Sequence, residues 1–370
     1  MTSLVVPTAV LDRARRTAAA FAALTGADVD AAELIGGRAA LLGHAPRGRV
    51  SAGGATRLMP SRDGWCALTL SRDDDIDTVP ALVEADRVDD PWTAVQSWAA
   101  RLDAVEVTDR ARLLGLPAAA LAEAPAESPR SYPFGAATVA RDPAGLLVAD
   151  LSAMWAGPLC GHLLARAGAT VVKVESAARP DGSRGGPQQF FDWMNAGKLS
   201  YLADFAKPDG LRALLGAADV VIESSRPAAL TRRGLGPTDV AARDGRVWLR
   251  ITGHGTDGER ANWVAFGDDA AVAGGLVGGD HDAPTFCGDA IADPLTGLEA
   301  ALAVAQSLRN GGGELIEMSM AAVAATYADH DDAGETDCAT APDIPGQAAA
   351  LGADNDEVDD LVQRRLRAAC

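Results

Sequence analysis

The segment from residue 146 to residue 175 constrains the fold more than any other part of the sequence. An apolar run, LLVAD, ends at Asp150, and Gly157-Pro158 then begins a helical stretch that Gly168 ends. A second apolar run, TVVKVE, follows at 170–175. Strand, helix and strand in this order predict a βαβ unit, whose two strands lie parallel in one sheet.

The same alternation continues along the chain and extends the sheet. A helix is predicted at 208–217 before a strand at 219–223. Further strands are predicted at 247–252 and 314–319, the last one after an amphipathic helix at 294–308. We therefore predict an α/β fold with a Rossmann-like parallel-sheet large domain. Ligands of such sheets bind beyond the carboxyl ends of the strands, so the candidate loops follow residues 150, 175, 223 and 252.

The first 125 residues have a different, alanine-rich pattern. Helices are predicted at 8–24 and 91–105, and Arg62-Asp63-Gly64 between them is typical of a hairpin turn. The predicted organisation is then a small α+β domain at 1–125, a linker at 126–144, the Rossmann-like domain at 145–328, and an acidic loop with a C-terminal helix at 329–370.

Charge and residue usage exclude several classes of protein. The net charge of -18 opposes binding to nucleic-acid phosphates. No apolar stretch is long enough to span a membrane, and the N-terminus has its apolar run before its charges, the reverse of a signal peptide. Five cysteines without a CxxC motif indicate reduced thiols and a cytoplasmic location. The five histidines form no HExxH motif, so we expect no metal.

Two familiar motifs are absent or incomplete. Residues 253–258 match GxGxxG after a strand, but no long apolar helix follows, and the first strand–helix turn lacks the glycines that admit a pyrophosphate. We expect no NAD, and the glycines are expected to shape a tight loop. No GxSxG motif occurs, which argues against a Ser-His-Asp hydrolase.

Asp293 is the carboxylate that the sequence most favours as a candidate for a chemical role. It precedes Pro294 and a strong helix, which is typical of an N-cap followed by proline at the first helical position. Helix-end amides and the helix dipole favour an ionised carboxylate, and an ionised carboxylate can attack an activated acyl group. Local sequence alone leaves two interpretations open, a structural cap and a nucleophile.

Several segments between residues 145 and 320 resemble class III CoA-transferases in order and spacing. These segments are VADLSAMWAGPLCGHLLARAGATVVKVES, MNAGKLSYLADF, ADVVIESSRPAALTRRGLG, ITGHGTDGE and GDAIADPLTGLEAALAVAQSLRNGGGELIEMSM. Asp293, in D-x-x-T-G before the helix, matches the catalytic aspartate of the family. Residues 53–75 and 98–119 resemble the small domain of the family, which here precedes the large domain, as in a rearranged or permuted member.

The resemblance implies transfer of coenzyme A from an acyl-CoA to a carboxylic acid through a covalent intermediate on Asp293. Amides near Ala156 and Gly157 are candidate oxyanion donors, and Trp155 stands where the family has a glutamine. Arg232 or Arg233 would meet the phosphates of coenzyme A, and Ser224 its adenine end. The full set of candidate coenzyme A contacts is Ser152, Ala153, Met154, Glu175, Asn195, Lys198, Ser224, Ser225, Arg226, Arg232 and Arg233.

Two departures keep other functions open. The mobile glycine-rich loop of the family has no clear counterpart, and Gly53-Gly54 is a poor substitute. The histidine of the racemase branch is missing, since the matching stretch reads Phe266-Gly267-Asp268-Asp269. The alternatives are an acyl-CoA racemase or isomerase that uses Asp293 with Asp268 or Asp269, and a non-catalytic coenzyme A-binding homologue or subunit. The resemblance also implies a homodimer, with the two chains interlocked.

Overall fold

A computed structural model describes residues 4–280, 282–328, 334–338 and 340–368. Its strands are β1 (Val5–Pro7), β2 (Thr56–Pro60), β3 (Trp65–Thr69), β4 (Ala118–Ala120), β5 (Arg130–Pro133), β6 (Leu147–Leu151), β7 (Thr170–Glu175), β8 (Leu199–Leu202), β9 (Val220–Glu223), β10 (Val247–Thr252), β11 (Val277–Asp280), β12 (Ala283–Phe286), β13 (Glu314–Ser319) and β14 (Glu335–Asp337). Its helices are α1 (Thr8–Thr25), α2 (Ala31–Leu42), α3 (Asp73–Val83), α4 (Pro91–Ala99), α5 (Ala104–Leu113), α6 (Ala156–Arg166), α7 (Gln188–Asn195), α8 (Asp209–Ala217), α9 (Ala228–Thr231), α10 (Gly267–Ala273), α11 (Ala292–Arg309), α12 (Met320–Ala328) and α13 (Asn355–Ala368).

The main sheet has seven strands within the described ranges, in the order β5-β13-β10-β9-β6-β7-β8. The pairs from β13 to β8 are parallel, and β5 adds an antiparallel edge. The predicted βαβ unit is β6–α6–β7, and its strands pair in parallel as expected. The predicted α/β class and Rossmann-like parallel sheet are therefore confirmed.

Apolar side chains cover both faces of this sheet. Along β6 the side chains alternate, so that Val148 belongs to one core and Leu147 and Ala149 to the other. The first core includes residues of α1, α2, α6 and α11, and the second includes residues of α8 and α13. Burial on both faces explains why these strands read as continuous apolar runs instead of alternating ones.

A smaller sheet, in the order β2-β3-β4, packs with α3, α4 and α5 around a core of its own. Strands β2 and β3 pair antiparallel around the turn at 61–64, as the hairpin pattern predicts. Helices α1 and α2, by contrast, contribute to the core of the main sheet. The division into domains at residues 125 and 145 stays a prediction.

The structure corrects several local predictions. The helix predicted at 91–105 is two helices, because Asp103 and Glu106 form a capping box that begins α5. The segment predicted as a linker carries β5, which hydrogen-bonds to β13. The acidic loop predicted at 329–345 contains β14, paired antiparallel with β1, whereas residues 329–333 and 339 lie outside the described residues.

The cysteines and the helices bear on two further expectations. Cys66, Cys160, Cys287 and Cys338 are free and buried, while Cys370 lies outside the described residues. Among the described residues, no helix combines the length and the apolar character needed to cross a bilayer.

Candidate active site

Asp293 lies in the first turn of α11, but it is not the N-cap residue. The N-cap is Ile291, and the helix begins at Ala292. Ala290 has a positive φ of 45°, and its carbonyl accepts a hydrogen bond of 2.9 Å from the Asp293 amide. This tight turn starts the helix two residues before the expected position, so the N-cap prediction for Asp293 is wrong.

The carboxyl group of Asp293 is buried between two backbone amides. The N–H groups of Ala156, at the start of α6, and of Gly267, at the start of α10, donate to it. A Cβ atom at Gly267 would overlap Oδ2 of Asp293 and the carbonyl oxygen of Ala290, so only glycine allows this approach. Three helix N-termini thus surround one carboxyl group.

Burial governs the charge of Asp293. It raises the pKa of Asp293 to about 7, and the nearby charge of Asp268 acts in the same direction. The charge of Arg38 and the two amides act against it. The two amides favour the ionised form, as the sequence pattern predicts, but desolvation outweighs them, so that Asp293 is only partly ionised at neutral pH.

A buried ion pair lies beside this carboxyl group. Arg38, from α2, donates from Nε to Oδ2 of Asp289 over 2.8 Å and from Nη2 to Oδ1 over 2.6 Å. His44 Nδ1 lies 3.1 Å from Oδ2 of the same carboxylate. Arg38, His44 and Asp289 were not among the residues predicted for the site. A lone arginine within the mainly apolar helix AAELIGGRAALL is nevertheless a signal of a buried, paired charge.

Two further buried carboxyl groups connect the small sheet to the site. Asp268 accepts from the Ala290 amide over 3.0 Å, and Asp269 accepts from Thr69 Oγ1 on β3 over 2.9 Å. Burial raises the pKa of Asp268 to about 6 and that of Asp269 to about 7. The small sheet therefore touches the same acidic cluster as α11.

The loop around Gly53-Gly54 also reaches this cluster. A Cβ atom at Gly53 would lie 3.4 Å from Nη2 of Arg38 and 3.8 Å from Cε1 of His44. Gly53 therefore lies beside the two residues that contact Asp289.

Trp155 precedes α6 and is buried in an aromatic cluster. Its ring meets those of Phe190 and Trp193 edge-on, at 5.3 Å and 6.4 Å between centroids, and the guanidinium of Arg38 lies 4.8 Å from its centre. Its indole Nε1 has no hydrogen-bond partner among the described residues. The next two residues, Ala156 and Gly157, pack tightly, and a Cβ atom at Gly157 would overlap the side chain of Ser152.

The loop after β6 is fixed by its neighbours. Lys173 Nζ donates to the Ser152 carbonyl over 2.6 Å, and the Ala153 amide donates to Ser224 Oγ over 3.3 Å. Met154 has a positive φ of 70°, and its amide donates to Asp181 over 3.0 Å. The structure therefore brings together the candidate residues that follow β6 and β9.

Three other candidates have partners inside the protein. Lys198 Nζ is buried and lies 2.9 Å from Oδ2 of Asp150. Glu175 pairs with Arg184 at 2.6 Å, and Asn195 Nδ2 donates to the Phe191 carbonyl over 3.1 Å. These contacts give the three side chains structural roles, and a ligand contact for them stays a prediction.

The remaining candidates lie beyond the carboxyl end of β9. Arg226, Arg232 and Arg233 are exposed and have no ion-pair partner within the described part of the chain. Arg232 ends α9, and Arg233 lies over the Phe205 ring at 5.9 Å. The buried Oγ of Ser225 has no partner among the described residues. On an acidic protein, these three arginines give the segment after β9 a local positive charge.

The structure thus defines an α/β protein that combines a parallel sheet, a buried acid at the start of a helix and an exposed basic segment after β9. The family model for CoA-transferase family III matches residues 144–349, more than half of the chain. The chain belongs to this family, which confirms the resemblance seen in the sequence.

Individual relatives match about half of the chain. Succinyl-CoA--D-citramalate CoA-transferase of Chloroflexus aurantiacus is 30% identical over 191 residues, 47% of this chain and 48% of its own length. Succinate--glutarate CoA-transferase of Agrobacterium fabrum is 31% identical over 202 residues, 48% of this chain and 50% of its own length. The solved structure of Rv3272 from Mycobacterium tuberculosis is 28% identical, with a TM-score of 0.46 over 51% of this chain and 57% of its own. The chain spans about half the length of the curated relatives it matches.

Proposed function

We propose that this chain transfers coenzyme A from an acyl-CoA donor to a carboxylic acid acceptor through Asp293. A carboxylate oxygen of Asp293 attacks the thioester carbonyl, the C–S bond breaks, and coenzyme A leaves as a thiolate. The thiolate then attacks the aspartyl carbonyl of the mixed anhydride, which releases the donor acid and leaves an aspartyl-CoA thioester. The acceptor carboxylate reverses both steps and leaves with coenzyme A, so no proton is consumed overall.

The observation that carries this proposal is the placement of Asp293. Its carboxyl group lies at the start of α11, between the amides of Ala156 and Gly267. Amides that hold the resting carboxylate are placed close to the tetrahedral centre that forms when the carboxylate attacks, where they favour the developing negative charge. The pKa of about 7 leaves a substantial carboxylate fraction at neutral pH.

The binding part of the proposal uses the loops after β6 and β9. The exposed arginines Arg226, Arg232 and Arg233 suit the phosphates of coenzyme A, since a guanidinium fork matches phosphate geometry. The loop after β6 would carry the pantetheine arm toward Asp293. Succinyl-CoA is the first donor to test, because the name of the Chloroflexus relative gives it as donor.

The test is intact-protein mass spectrometry after incubation with succinyl-CoA and a panel of shorter and longer acyl-CoA thioesters. We expect a CoA-sized adduct on the peptide that holds Asp293, sensitive to hydroxylamine and absent from Asp293→Ala. Asp209→Ala is the matched control, because Asp209 is an acid in the first turn of another helix, α8. An adduct that persists in Asp293→Ala would exclude this nucleophile.

A racemase or isomerase is the second candidate, favoured by one observation. Asp268 and Asp293 are buried together, and a negative charge on Asp268 makes ionisation of Asp293 less favourable. One carboxyl group can therefore stay protonated while the other is ionised, as an acid and a base require. Exchange of the α-proton of a branched acyl-CoA in deuterated water, without any covalent adduct, would support it. Coenzyme A binding with neither exchange nor adduct would support a non-catalytic homologue.

The assembly and location of the protein belong to the same proposal. A homodimer and a cytoplasmic location rest on the family resemblance and on the unpatterned cysteines. Light scattering after size exclusion would measure the mass in solution, and a mass near 38 kDa would contradict the dimer.

A further inference from the structure

Helix α2 lies outside residues 144–349, the part of the chain that the family model matches. It nevertheless brings a charged side chain into the candidate active site. Arg38 is the one basic residue of this mainly apolar helix, and its side chain is 18% exposed. An arginine buried to this extent needs a fixed set of partners.

Arg38 is held on two sides. Asp289 accepts from both Nε and Nη2, which fixes the plane of the guanidinium in a bidentate pair. The rings of Trp155 and Phe190 lie 4.8 Å and 5.6 Å from its centre and keep water away from it. Trp155 immediately precedes Ala156, whose amide donates to Asp293.

Charged groups face this site from several elements. Helix α2 supplies Arg38, α10 supplies Asp268 with Asp269 behind it, and the segment before α11 supplies Asp289. His44, which follows α2, contacts Asp289 and not Asp293. Three carboxyl groups, those of Asp268, Asp289 and Asp293, therefore share the field of one guanidinium. Without that guanidinium, burial and mutual repulsion would drive protons onto them.

We propose that Arg38 is a positioning residue of this site: its guanidinium, fixed by Asp289 against Trp155, keeps Asp293 in its nucleophilic carboxylate form. The proposal rests on the proposed function for its chemical consequence. Its electrostatic part does not need coenzyme A and is tested separately. Because the pKa of Asp293 lies at about 7, the loss of one neighbouring cation changes the carboxylate fraction at neutral pH strongly.

The electrostatic test is a double-mutant cycle of Arg38→Gln and Asp293→Asn, measured by urea unfolding at pH 8.5 and pH 5.5. At pH 8.5 we expect Arg38→Gln to lower the unfolding midpoint more in the wild type than in the Asp293→Asn background. At pH 5.5, where Asp293 is protonated, Arg38→Gln should lower the unfolding midpoint by the same amount in the wild type and in the Asp293→Asn background. Equal losses at both pH values would overturn the proposal.

A second variant keeps the test decisive if Arg38→Gln does not fold. Asp289→Asn removes a negative charge and frees Arg38 to turn toward Asp293. It should therefore shift the pH midpoint of adduct formation downward, whereas Arg38→Gln should shift it upward by about one unit or more. Arg38→Lys should shift the pH midpoint upward by less than Arg38→Gln does, because lysine keeps the positive charge and loses only the bidentate geometry. No shift in either direction would count against the proposal.

The matched control is Arg13→Gln. Arg13 belongs to α1 and also lies over an aromatic ring, that of Tyr327 at 4.8 Å, but it is not among the charges that act on Asp293. It should leave the pH midpoint unchanged. If the wild type forms no adduct, the proposed function fails while the unfolding cycle still decides the role of Arg38. If adducts form in both the wild type and Arg38→Gln with the same pH midpoint, the proposed role of Arg38 is wrong while the proposed function stands.

Discussion

At the scale of single residues, Trp155 directly precedes Ala156, whose amide donates to Asp293, and its buried indole N–H has no hydrogen-bond partner in the described part of the chain. Such donors cost free energy in the free protein and are retained where a ligand meets them. We expect Trp155→Phe to keep or slightly raise stability and to slow adduct formation by about tenfold, the loss of one hydrogen bond. Rapid-quench mass spectrometry measures the rate, and an unchanged rate would assign the indole to packing alone.

Gly267 is the second residue whose replacement gives a clear result. A methyl group there would overlap both the Asp293 carboxyl group and the backbone carbonyl of Ala290, and the carbonyl cannot rotate away. We expect Gly267→Ala to destabilise the protein by about 2 kcal/mol or more and to abolish adduct formation. Urea unfolding measures the first effect. Gly216→Ala is the control, since nothing lies near its added methyl group in α8, and a gain of about 0.5–1 kcal/mol is expected.

Residue types and spacing identified Asp293 but not its environment. The D-x-x-T-G pattern places an acid at a helix start, whereas the amide of Gly267 and the charge of Arg38 come from positions 26 and 255 residues away in the chain. Pairings over such distances depend on how elements pack, which local patterns do not encode. The pKa of Asp293 could not be predicted from the sequence either. Burial raises it and the helix-end amides lower it, and the balance depends on how far the fold excludes water from the carboxyl group.

At the scale of elements, five of the six parallel strands of the described sheet were predicted closely, whereas β8 and the caps were not. Strands β7, β10 and β13 begin and end where the apolar runs do. The break between α4 and α5 was missed, although Asp103 and Glu106 carry the capping-box signal in the sequence itself. The antiparallel edge strand β5 gave no signal, because all four of its residues are exposed and its partner is far along the chain.

Substitutions in the arginine-containing segment around α9 should affect the binding of coenzyme A but not the stability of the protein. The exposed arginines Arg226 and Arg233 have no ion-pair partner among the described residues, so their loss should not unfold the protein. We expect the double variant Arg226→Gln, Arg233→Gln to weaken coenzyme A binding by about tenfold or more at low salt, and less at high salt. Calorimetry measures this. Arg87→Gln, an exposed arginine on the small-sheet side, should have no effect.

At the scale of the whole molecule, buried acids link stability to pH. Burial raises the pKa of Asp268 to about 6, and those of Asp269 and Asp293 to about 7, from reference values near 4. Through these three groups the folded state binds more protons than the unfolded state between pH 4 and pH 7, so their contribution to the free energy of unfolding falls as the pH rises through that window. We expect each contribution to be greater at pH 5.5 than at pH 8 by about 1 kcal/mol or more. Burial lowers the pKa values of His162 and His254 to about 3, and these two groups act in the opposite direction below pH 6.5.

Urea unfolding across this pH range checks the sign. Asp293→Asn should flatten the dependence and should be more stable than the wild type at pH 8, because it removes the cost of a buried charge. Acids with lowered pKa values, such as Asp219 beside Arg243, lose their contribution only at lower pH and do not alter the sign. The difference between the wild type and Asp293→Asn isolates this group from the other buried groups. A pH dependence that Asp293→Asn leaves unchanged would show that Asp293 is not desolvated as described.

The contact between Arg38 and Asp289 joins positions 251 residues apart. A ribosome that adds about 5–20 residues per second makes Arg38 roughly 10–50 seconds before its carboxylate partner exists. Strands β6 to β10 of the main sheet are made within that interval, so α2 can pack against them while the Arg38 guanidinium still lacks its carboxylate partner. The candidate active site is thus completed late in synthesis, and a chain stalled before Asp289 holds a buried arginine without its bidentate partner.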